Sequence, residues 1–271
     1  MKKTLTLFLF AGLFAATRLA ATTEEAGFVS IFNGKDLTGW DGKPGWWRVE
    51  DGAITAQSTP EKPCAKHNYL IWRGGQPADF ELRLRFRLQG GNSGIQFRSR
   101  ELPDWDTSGY QADMDAEDQY TGGVYEHTRG VIAPRGQKVV IAPDGTRQVT
   151  SPGDPADLRK HWKLEEWNDY RVVARGSKLT LFINGVMTAQ ADDRQTNQAA
   201  SRGVLAFQMH PGPPMKVQFK DIRLKTFTNN TASQSAIPPR SPRGIGAGKT
   251  APEAGDVIPR GEATATSADE I

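Results

Sequence analysis

The sequence predicts an all-β protein built as a sandwich of two antiparallel sheets. Apolar and polar residues alternate with period two in several segments, most clearly in Phe80–Leu88, and this alternation is typical of half-buried strands. The 271 residues include 28 Gly and 17 Pro, as expected for many short strands joined by turns. Hardly any segment has helical periodicity. A sandwich of about 200–250 residues is an ordinary single domain.

The folded region is predicted to begin with short strands. An apolar segment at Phe28–Phe32 ends in an Asn-Gly turn, and Trp46–Ala56 has the pattern of a hairpin centred on Asp51-Gly52. Tyr69–Trp72 is a further strand. In Phe80–Leu88 the polar face carries one Glu and three Arg. We interpret that face as the solvated outer face of a sheet. The alternative is that its three arginines bind an anionic ligand.

The next strands carry the polar residues of interest. Gly94–Arg98 and Gly109–Asp115 are predicted strands, and Glu101–Ser108 and Glu117–Gly123 are predicted loops. Residues 128–165 are rich in Gly, Pro and charge, with one short strand predicted near Lys138–Ile141. Because long excursions within a compact domain are usually functional, we expect part of this segment to form a wall of a cleft.

Four more predicted strands close the sheets. Residues 166–186 form a hairpin across Arg175-Gly176-Ser177 followed by a turn at Asn184-Gly185. Gly203–His210 and Val217–Lys225 complete the set.

Three of these strands present polar side chains on the face opposite the core. Side chains alternate along a strand, so one face collects the following residues: Gln96, Arg98, Gln111, Asp113, Asp115, Gln208 and His210. Asp113 and Asp115 lie about 7 Å apart along their strand, a suitable separation for two carboxylates acting on one sugar. The sequence therefore predicts a cleft for a polar ligand.

The two ends of the chain differ from the middle. Residues 1–21 combine Lys2-Lys3, an apolar run and small residues, which is the pattern of a secretory signal peptide; the run is too short for a membrane span. Residues 228–271 lack apolar periodicity, which predicts a disordered tail.

We expect a protein exported to a bacterial periplasm or exterior, since Cys64 is the single cysteine and no internal disulfide can form. Cys64 itself is interpreted as incidental rather than nucleophilic.

Charge excludes one class of partner. The formal net charge is +3 with 24% charged residues, so there is no electrostatic footprint for nucleic acid.

The order of several short motifs resembles the 3-keto-disaccharide hydrolase domain family. They are Asn33–Trp40, Asn92–Arg98, Gly109–Asp113, Thr121–Tyr125, Trp167-Asn168, Asn184-Gly185 and Gly203–His210. The resemblance covers residues 28–227, the whole predicted globular domain. It implies a concanavalin A-like jelly roll whose concave face carries the site. One position departs from the commoner family pattern: Gln111 stands where many members have Glu.

The resemblance also implies an activity, the cleavage of glycosides whose sugar carries a ketone at carbon 3. A base removes the acidified hydrogen of carbon 2, the aglycone leaves from carbon 1, and water adds back. As hypotheses, Asp113 or Asp115 is the base, Arg98 or a metal ion stabilises the enolate, and His210 is the acid or a metal ligand. The remaining candidates for sugar binding are Gln96, Tyr110, Gln111, Tyr125, Glu126 and Gln208.

Two alternatives and a possible cofactor stay open. Asp113, Asp115 and Glu117 resemble the carboxylates of a laminarinase-type retaining glucanase, with Asp113 and Glu117 as the reacting pair. A non-catalytic lectin-like module would instead stack sugars on Trp105, Tyr110, Tyr120 and Tyr125. A divalent ion could bind Asp113, Asp115 and His210, with further oxygen from Glu117 or Asp118 or nitrogen from His127.

Overall fold

The structure is a computed structural model that describes residues 25–227. Seventeen strands form two sheets, and one short helix lies between the twelfth and thirteenth strands. The predicted signal peptide and tail lie outside the described residues. The first nine strands are β1 (Val29–Ser30), β2 (Trp40–Gly42), β3 (Trp47–Glu50), β4 (Ala53–Gln57), β5 (Asn68–Trp72), β6 (Phe80–Gln89), β7 (Asn92–Leu102), β8 (Asp106–Asp115) and β9 (Val124–Glu126). The others are β10 (Gly130–Ala133), β11 (Lys138–Ile141), β12 (Arg147–Thr150), β13 (Asn168–Arg175), β14 (Lys178–Ile183), β15 (Val186–Asp193), β16 (Val204–Met209) and β17 (Lys216–Thr226), with helix α1 at Pro155–Arg159.

The predicted sandwich is confirmed. One sheet has ten strands, in the order β12-β11-β15-β14-β13-β6-β17-β4-β3 with β1 added beside β17, and the other has seven in the order β10-β9-β8-β7-β16-β5-β2. Pairing is antiparallel throughout these described strands except between β11 and β15. Neighbours in space are often distant in sequence, which brings β8, β7 and β16 together at the centre of the smaller sheet.

Aromatic rings join the two sheets through the core. Phe207 of β16 stacks on Phe219 of β17 with ring centroids 4.0 Å apart, and Trp40 stacks on the same Phe207 at 5.0 Å. All three side chains are buried. Stacked buried aromatics supply a large part of the apolar area that holds such a sandwich together.

The outer-face interpretation of the arginine strand is also confirmed. In β6 the apolar residues are buried and alternate with half-exposed charged residues. Arg83 pairs with Glu81 at 2.7 Å, and Arg85 lies 3.6 Å from Asp169 on the neighbouring strand. These pairs cover the outside of the ten-stranded sheet.

The predicted hairpin turns lie at the expected residues. Asp51 and Gly52 have φ of 51° and 73°, and Asn184 and Gly185 have φ of 47° and 83°. Two successive positive φ values match the right-handed twist of the flanking strands, and Asn, Asp and Gly adopt them at the lowest cost.

Two expectations about loops were wrong. Glu101–Ser108 is not a loop, because β7 runs to Leu102 and β8 begins at Asp106. The segment 128–165 contains three strands and helix α1 rather than one strand.

No helix within residues 25–227 is long and apolar enough to cross a membrane.

Candidate functional site

A cavity of about 260 Å³ opens on the face of the seven-stranded sheet that is turned away from the core. Its walls come from β7, β8, β9 and β16 and from the segments next to them. The lining residues are His67, Asn92, Gln111, Asp113, Tyr120, Tyr125, His127, Gln208 and His210. Carboxylate, amide, phenol and imidazole groups thus share one small polar cavity, as the sequence predicted.

The absence of a side chain at Gly94 makes this arrangement possible. Gly94 lies on β7 opposite Asp113 of β8, and its neighbour Ile95 lies opposite Phe207 of β16. A Cβ atom on Gly94 would lie 2.3 Å from Cδ of Gln111. The Gln111 side chain therefore crosses over β7 through the space that the glycine leaves.

Asp113 is a buried carboxyl group with few compensating contacts. Its side chain is 4% exposed and its Oδ1 accepts a hydrogen bond of 2.5 Å from Gln111 Nε2. Burial raises the pKa of Asp113 to about 8, the Gln111 hydrogen bond opposes this shift, and the nearby Asp115 adds to it. A carboxyl group with a pKa near neutrality is suited to general acid–base chemistry.

Asp115 has a different environment, because the loop that follows it uses its oxygens. Oδ1 accepts hydrogen bonds from the backbone N–H groups of Tyr120 and Thr121 and from the Thr121 hydroxyl, and Oδ2 accepts one from the Gln119 N–H. The carboxylate therefore shapes the 116–121 loop and fixes Tyr120 beside the cavity, while its own oxygens do not line the cavity.

We expect Asp115→Ala to act mainly through this loop. Four hydrogen-bond donors would lose their acceptor, which should lower the free energy of unfolding by about 1–3 kcal/mol. The affinity of the cavity for a ligand should fall as well, because Tyr120 loses its position. Urea unfolding and ligand titration measure the two effects.

Glu117→Gln is the matched control in the same loop, because Glu117 is exposed and its carboxylate accepts a hydrogen bond of 3.4 Å from the Gln119 side chain. It should leave both stability and ligand affinity unchanged. If Asp115→Ala left the free energy of unfolding unchanged, the carboxylate would not be what holds the loop.

Three imidazoles lie together at one side of the cavity. The ring centroids of His67 and His210 are 4.7 Å apart, and those of His67 and His127 are 6.3 Å apart. Burial lowers the pKa of His67, and the two neighbouring imidazoles lower it further. Burial also lowers the pKa of His210. Both rings are therefore mainly neutral at pH 7.

One nitrogen of His210 is already engaged. Nδ1 lies in a close contact with the Pro211 carbonyl oxygen, and since a carbonyl only accepts, Nδ1 carries the proton. The neutral ring thus leaves Nε2 as an unprotonated acceptor.

Arg98, predicted on the polar face, lies outside the cavity. A register shift in β7 between Phe97 and Arg100, with φ of 48° at Arg98, interrupts the alternation of side chains. The guanidinium is buried and bonds the carbonyl oxygens of Ala78 and Gly176 and the carboxylate of Asp79.

Tyr110 and Glu126, predicted to bind sugar, are also outside the cavity lining. Tyr110 is buried in the core and donates its hydroxyl hydrogen to Asp193 at 2.6 Å. Glu126 accepts hydrogen bonds from the Thr128 hydroxyl and from Arg129. Gln96 is fully buried behind the lining residues and contacts the cavity only through Gln111 and His127.

Sequence reasoning missed His67 and Asn92 as lining residues. His67 directly precedes β5, whose Asn68 is opposite Met209 of β16. That pairing brings His67 beside His210, although 143 positions separate them in the sequence. The signal that could have found it was the pairing of β5 with β16.

The geometry bears on the two alternative functions. Glu117, one of the pair in a glucanase, is exposed and is not among the lining residues. Of the aromatics expected in a lectin, Tyr120 and Tyr125 line the cavity, whereas Trp105 donates its indole N–H to Asp41 at 2.9 Å.

A metal site does not form from the candidate ligands as they are arranged. Within residues 25–227 no group of three or more His, Cys, Asp or Glu side chains is placed to hold an ion. The Asp115 oxygens already accept hydrogen bonds from the 116–121 loop. Both ring nitrogens of His127 also have hydrogen-bond partners, Gln96 at Nδ1 and Tyr69 at Nε2. Asp113, Asp115 and His210 therefore do not converge as one ligand set within residues 25–227.

Comparison with known proteins agrees with the fold. A 3-keto-disaccharide hydrolase of Bacteroides thetaiotaomicron is 30% identical over 99 residues, which is 34% of this chain and 34% of that protein. A solved glycosyl hydrolase structure from Parabacteroides distasonis shares 16% identity over 74% of this chain and 99% of its own, with a TM-score of 0.50. The carbohydrate binding module CBM66 of Bacillus subtilis matches with 14% identity over 71% of this chain and 98% of its own, at a TM-score of 0.45.

The most extensive agreement is with a family model. The model described as the 3-keto-alpha-glucoside-1,2-lyase-like domain matches residues 27–225, which includes every residue of the cavity. The chain therefore belongs to the 3-keto-disaccharide hydrolase family, a family of carbohydrate-active domains.

Proposed function

We propose that this chain is an exported bacterial enzyme that cleaves 3-keto-glycosides in the cavity described above. The observation that carries the proposal is the buried Asp113, with a pKa of about 8, in a cavity it shares with three imidazoles. The family name supports the same activity. A cavity of about 260 Å³ has room for one sugar ring with its substituents, which favours attack on a single keto sugar.

Asp113 is the base in this proposal. The ketone at carbon 3 acidifies the hydrogen on carbon 2, and ionised Asp113 removes it as a proton. The electron pair of the broken C–H bond forms an enolate, whose oxygen at carbon 3 accepts hydrogen bonds from N–H donors of the cavity. Preorganised donors of this kind stabilise an oxyanion effectively in a site with little water.

Collapse of the enolate breaks the bond from carbon 1 to the aglycone oxygen. Asp113, which holds the proton taken from carbon 2, passes it to this oxygen. Water then adds to carbon 1 and gives a proton to Nε2 of the neutral His210, and the resulting imidazolium returns a proton to carbon 2. The net reaction is hydrolysis, and release of the unsaturated intermediate before hydration makes it a lyase reaction.

The decisive experiment compares a 3-keto-glucoside with its unoxidised parent. The full chain without residues 1–21 is incubated with each compound, and release of the aglycone is followed. We expect turnover of the keto compound alone, because the parent has no acidic hydrogen at carbon 2.

Each other outcome points to a different function. Cleavage of the parent at a similar rate would contradict the proposal and favour a glucanase-type reaction. Saturable binding of both compounds without cleavage would indicate a lectin-like module, for which the 42% exposed Tyr120 and the adjacent Tyr125 offer stacking surfaces.

A further inference from the structure

Three glutamines beneath the cavity form a continuous chain of side-chain amides. Gln96 lies on β7, Gln111 on β8 and Gln208 on β16. Their exposed fractions are 0%, 4% and 2%. Gln96 Nε2 donates to Gln111 Oε1 at 2.8 Å, and Gln111 Nε2 donates to Gln208 Oε1 at 3.2 Å. Each buried amide group of this chain needs a hydrogen-bond partner. The direction in which the amides donate therefore decides which groups they can bond at the two ends of the chain.

Asp113 determines that direction. Above its pKa of about 8 Asp113 is an ionised carboxylate, which only accepts hydrogen bonds. The group of Gln111 that faces Asp113 Oδ1 must then be its NH2. The Gln111 carbonyl oxygen then faces Gln96, which must present its own NH2. In this orientation Gln96 Oε1 accepts a hydrogen bond of 2.5 Å from the Ser99 hydroxyl, so the oxygen at the end of the chain also has a partner.

The two ends of the chain terminate on histidines. Gln96 Nε2 also lies 3.2 Å from His127 Nδ1, and Gln208 Nε2 lies 3.1 Å from His67 Nδ1. Since an amide NH2 only donates, both Nδ1 atoms are acceptors. A neutral imidazole that accepts at Nδ1 carries its proton on Nε2.

We propose that Gln96, Gln111 and Gln208 form an amide relay, anchored at Asp113, that fixes the proton of His67 and His127 on Nε2. The consequence is clearest at His67, whose Nδ1 is turned to Gln208 while the ring lines the cavity. Its Nε2–H is then a hydrogen-bond donor to a bound ligand. If the proposed cleavage of keto-glycosides holds, this N–H donates to the enolate oxygen, and the glutamines are positioning residues for it.

Gly94 and Tyr69 fit the same relay. Gly94 leaves the space through which Gln111 reaches Gln208. Tyr69 Oη accepts the second hydrogen of Gln208 at 2.9 Å and lies 3.3 Å from His127 Nε2. Because His127 carries its proton on Nε2, that nitrogen donates to the tyrosine oxygen. The relay has one branch from Gln208 to His67 and another from Gln96 to His127, and both branches bond to Tyr69 Oη.

The test is nitrogen NMR of the histidine rings in the full chain at pH 9, where the imidazoles are neutral and Asp113 is ionised. Long-range proton–nitrogen spectra distinguish a protonated ring nitrogen from an unprotonated one. We expect His67 and His127 to be protonated at Nε2 and unprotonated at Nδ1. The exposed His161, outside the site, serves as an internal reference. If either His67 or His127 carried its proton mainly on Nδ1, the relay would be wrong.

Two variants separate the branches. Gln208→Met removes the donor to His67 and should give a mixture of tautomers there, while His127 keeps its pattern. Gln96→Met should have the opposite effect. Gln190→Met, which replaces an amide bonded to Thr180 on the other sheet, should change neither ring. Unchanged spectra in both branch variants would also overturn the relay.

A third variant disturbs the relay without removing an amide. Gly94→Ala displaces Gln111 by a steric clash, so both rings should lose their single tautomer. If the unvaried protein gives the expected tautomers but no keto-glycoside is cleaved, only the proposed activity fails. If it is cleaved, Gln208→Met should lower kcat by about 10-fold or more with little change in KM, since the donor serves the transition state.

Discussion

Replacing Asp113 with Asn should lower kcat for a 3-keto-glucoside by about 10²–10⁴-fold, which is the usual contribution of a general base. The amide is close in size and shape to the carboxyl group, but it cannot take the proton from carbon 2. KM should change little, because the amide still fills the same position in the cavity. Steady-state kinetics with the keto substrate measure both constants.

The same substitution should stabilise the protein at high pH. The pKa of Asp113 is about 8 in the folded chain, against a value of 3.8 for an unperturbed group. Between these two pH values the unfolded chain has already lost the proton that the folded chain retains, so stability falls as pH rises through this window. The amide of Asp113→Asn does not titrate, and the variant therefore escapes this loss.

Urea unfolding of both proteins at pH 4, 7 and 9 isolates this effect. We expect the variant and the unvaried protein to be nearly equal at pH 4. The variant should become progressively more stable above it, by more than about 2 kcal/mol at pH 9, since each unit of pKa shift corresponds to about 1.4 kcal/mol. A difference that does not depend on pH would mean that Asp113 ionises as an exposed carboxyl does. Asp106→Asn, a change outside the cavity lining, is the control for removing one negative charge.

The sequence predicted the polar face well where strands are regular. In β8, Tyr110, Ala112 and Met114 are in the core while Gln111 and Asp113 line the cavity, as strict alternation requires. The same holds for Gln208 in β16. Period-two patterns carry this information because only one face of each strand can be buried against the other sheet.

The prediction failed where geometry depends on irregular backbone or on distant pairing. The register shift in β7 moved Arg98 off the polar face, and no feature of its neighbours in sequence signals a bulge there. The hydrogen bonds that occupy Asp115 come from the loop that follows, whose conformation alternation does not describe. His67 precedes its strand and joins the site only through the pairing of β5 with β16.

Arg98→Leu should be among the most destabilising single substitutions in the domain. The Arg98 side chain is 2% exposed, and its Nη2 lies 3.0 Å from the Asp79 carboxylate. Its Nε and Nη1 donate to the carbonyl oxygens of Ala78 and Gly176 at 2.8 and 2.7 Å. These partners lie next to the ends of strands in the ten-stranded sheet, and Arg98 belongs to the seven-stranded one, so the guanidinium ties the two sheets together.

Removing one partner of a buried ion pair leaves the other charge without compensation, which costs about 3–5 kcal/mol. We expect a loss of this size in urea unfolding of Arg98→Leu. Arg98→Lys should fall between the leucine variant and the unvaried protein, because an ammonium group restores the charge but not the fork of donors that reaches four acceptors. Arg100→Leu, an exposed position two residues further along β7, should change stability by less than about 0.5 kcal/mol.

Kinetics of the folded Arg98 variants then distinguish a structural from a catalytic arginine. The guanidinium does not line the cavity, so kcat and KM measured well below the melting temperature should stay within about 2-fold of the unvaried protein, too small a change to reflect a lost transition-state contact. A large fall in kcat for Arg98→Lys at nearly normal stability would restore Arg98 as the group that stabilises the enolate. The role proposed above for His67 Nε2–H would then pass to the arginine.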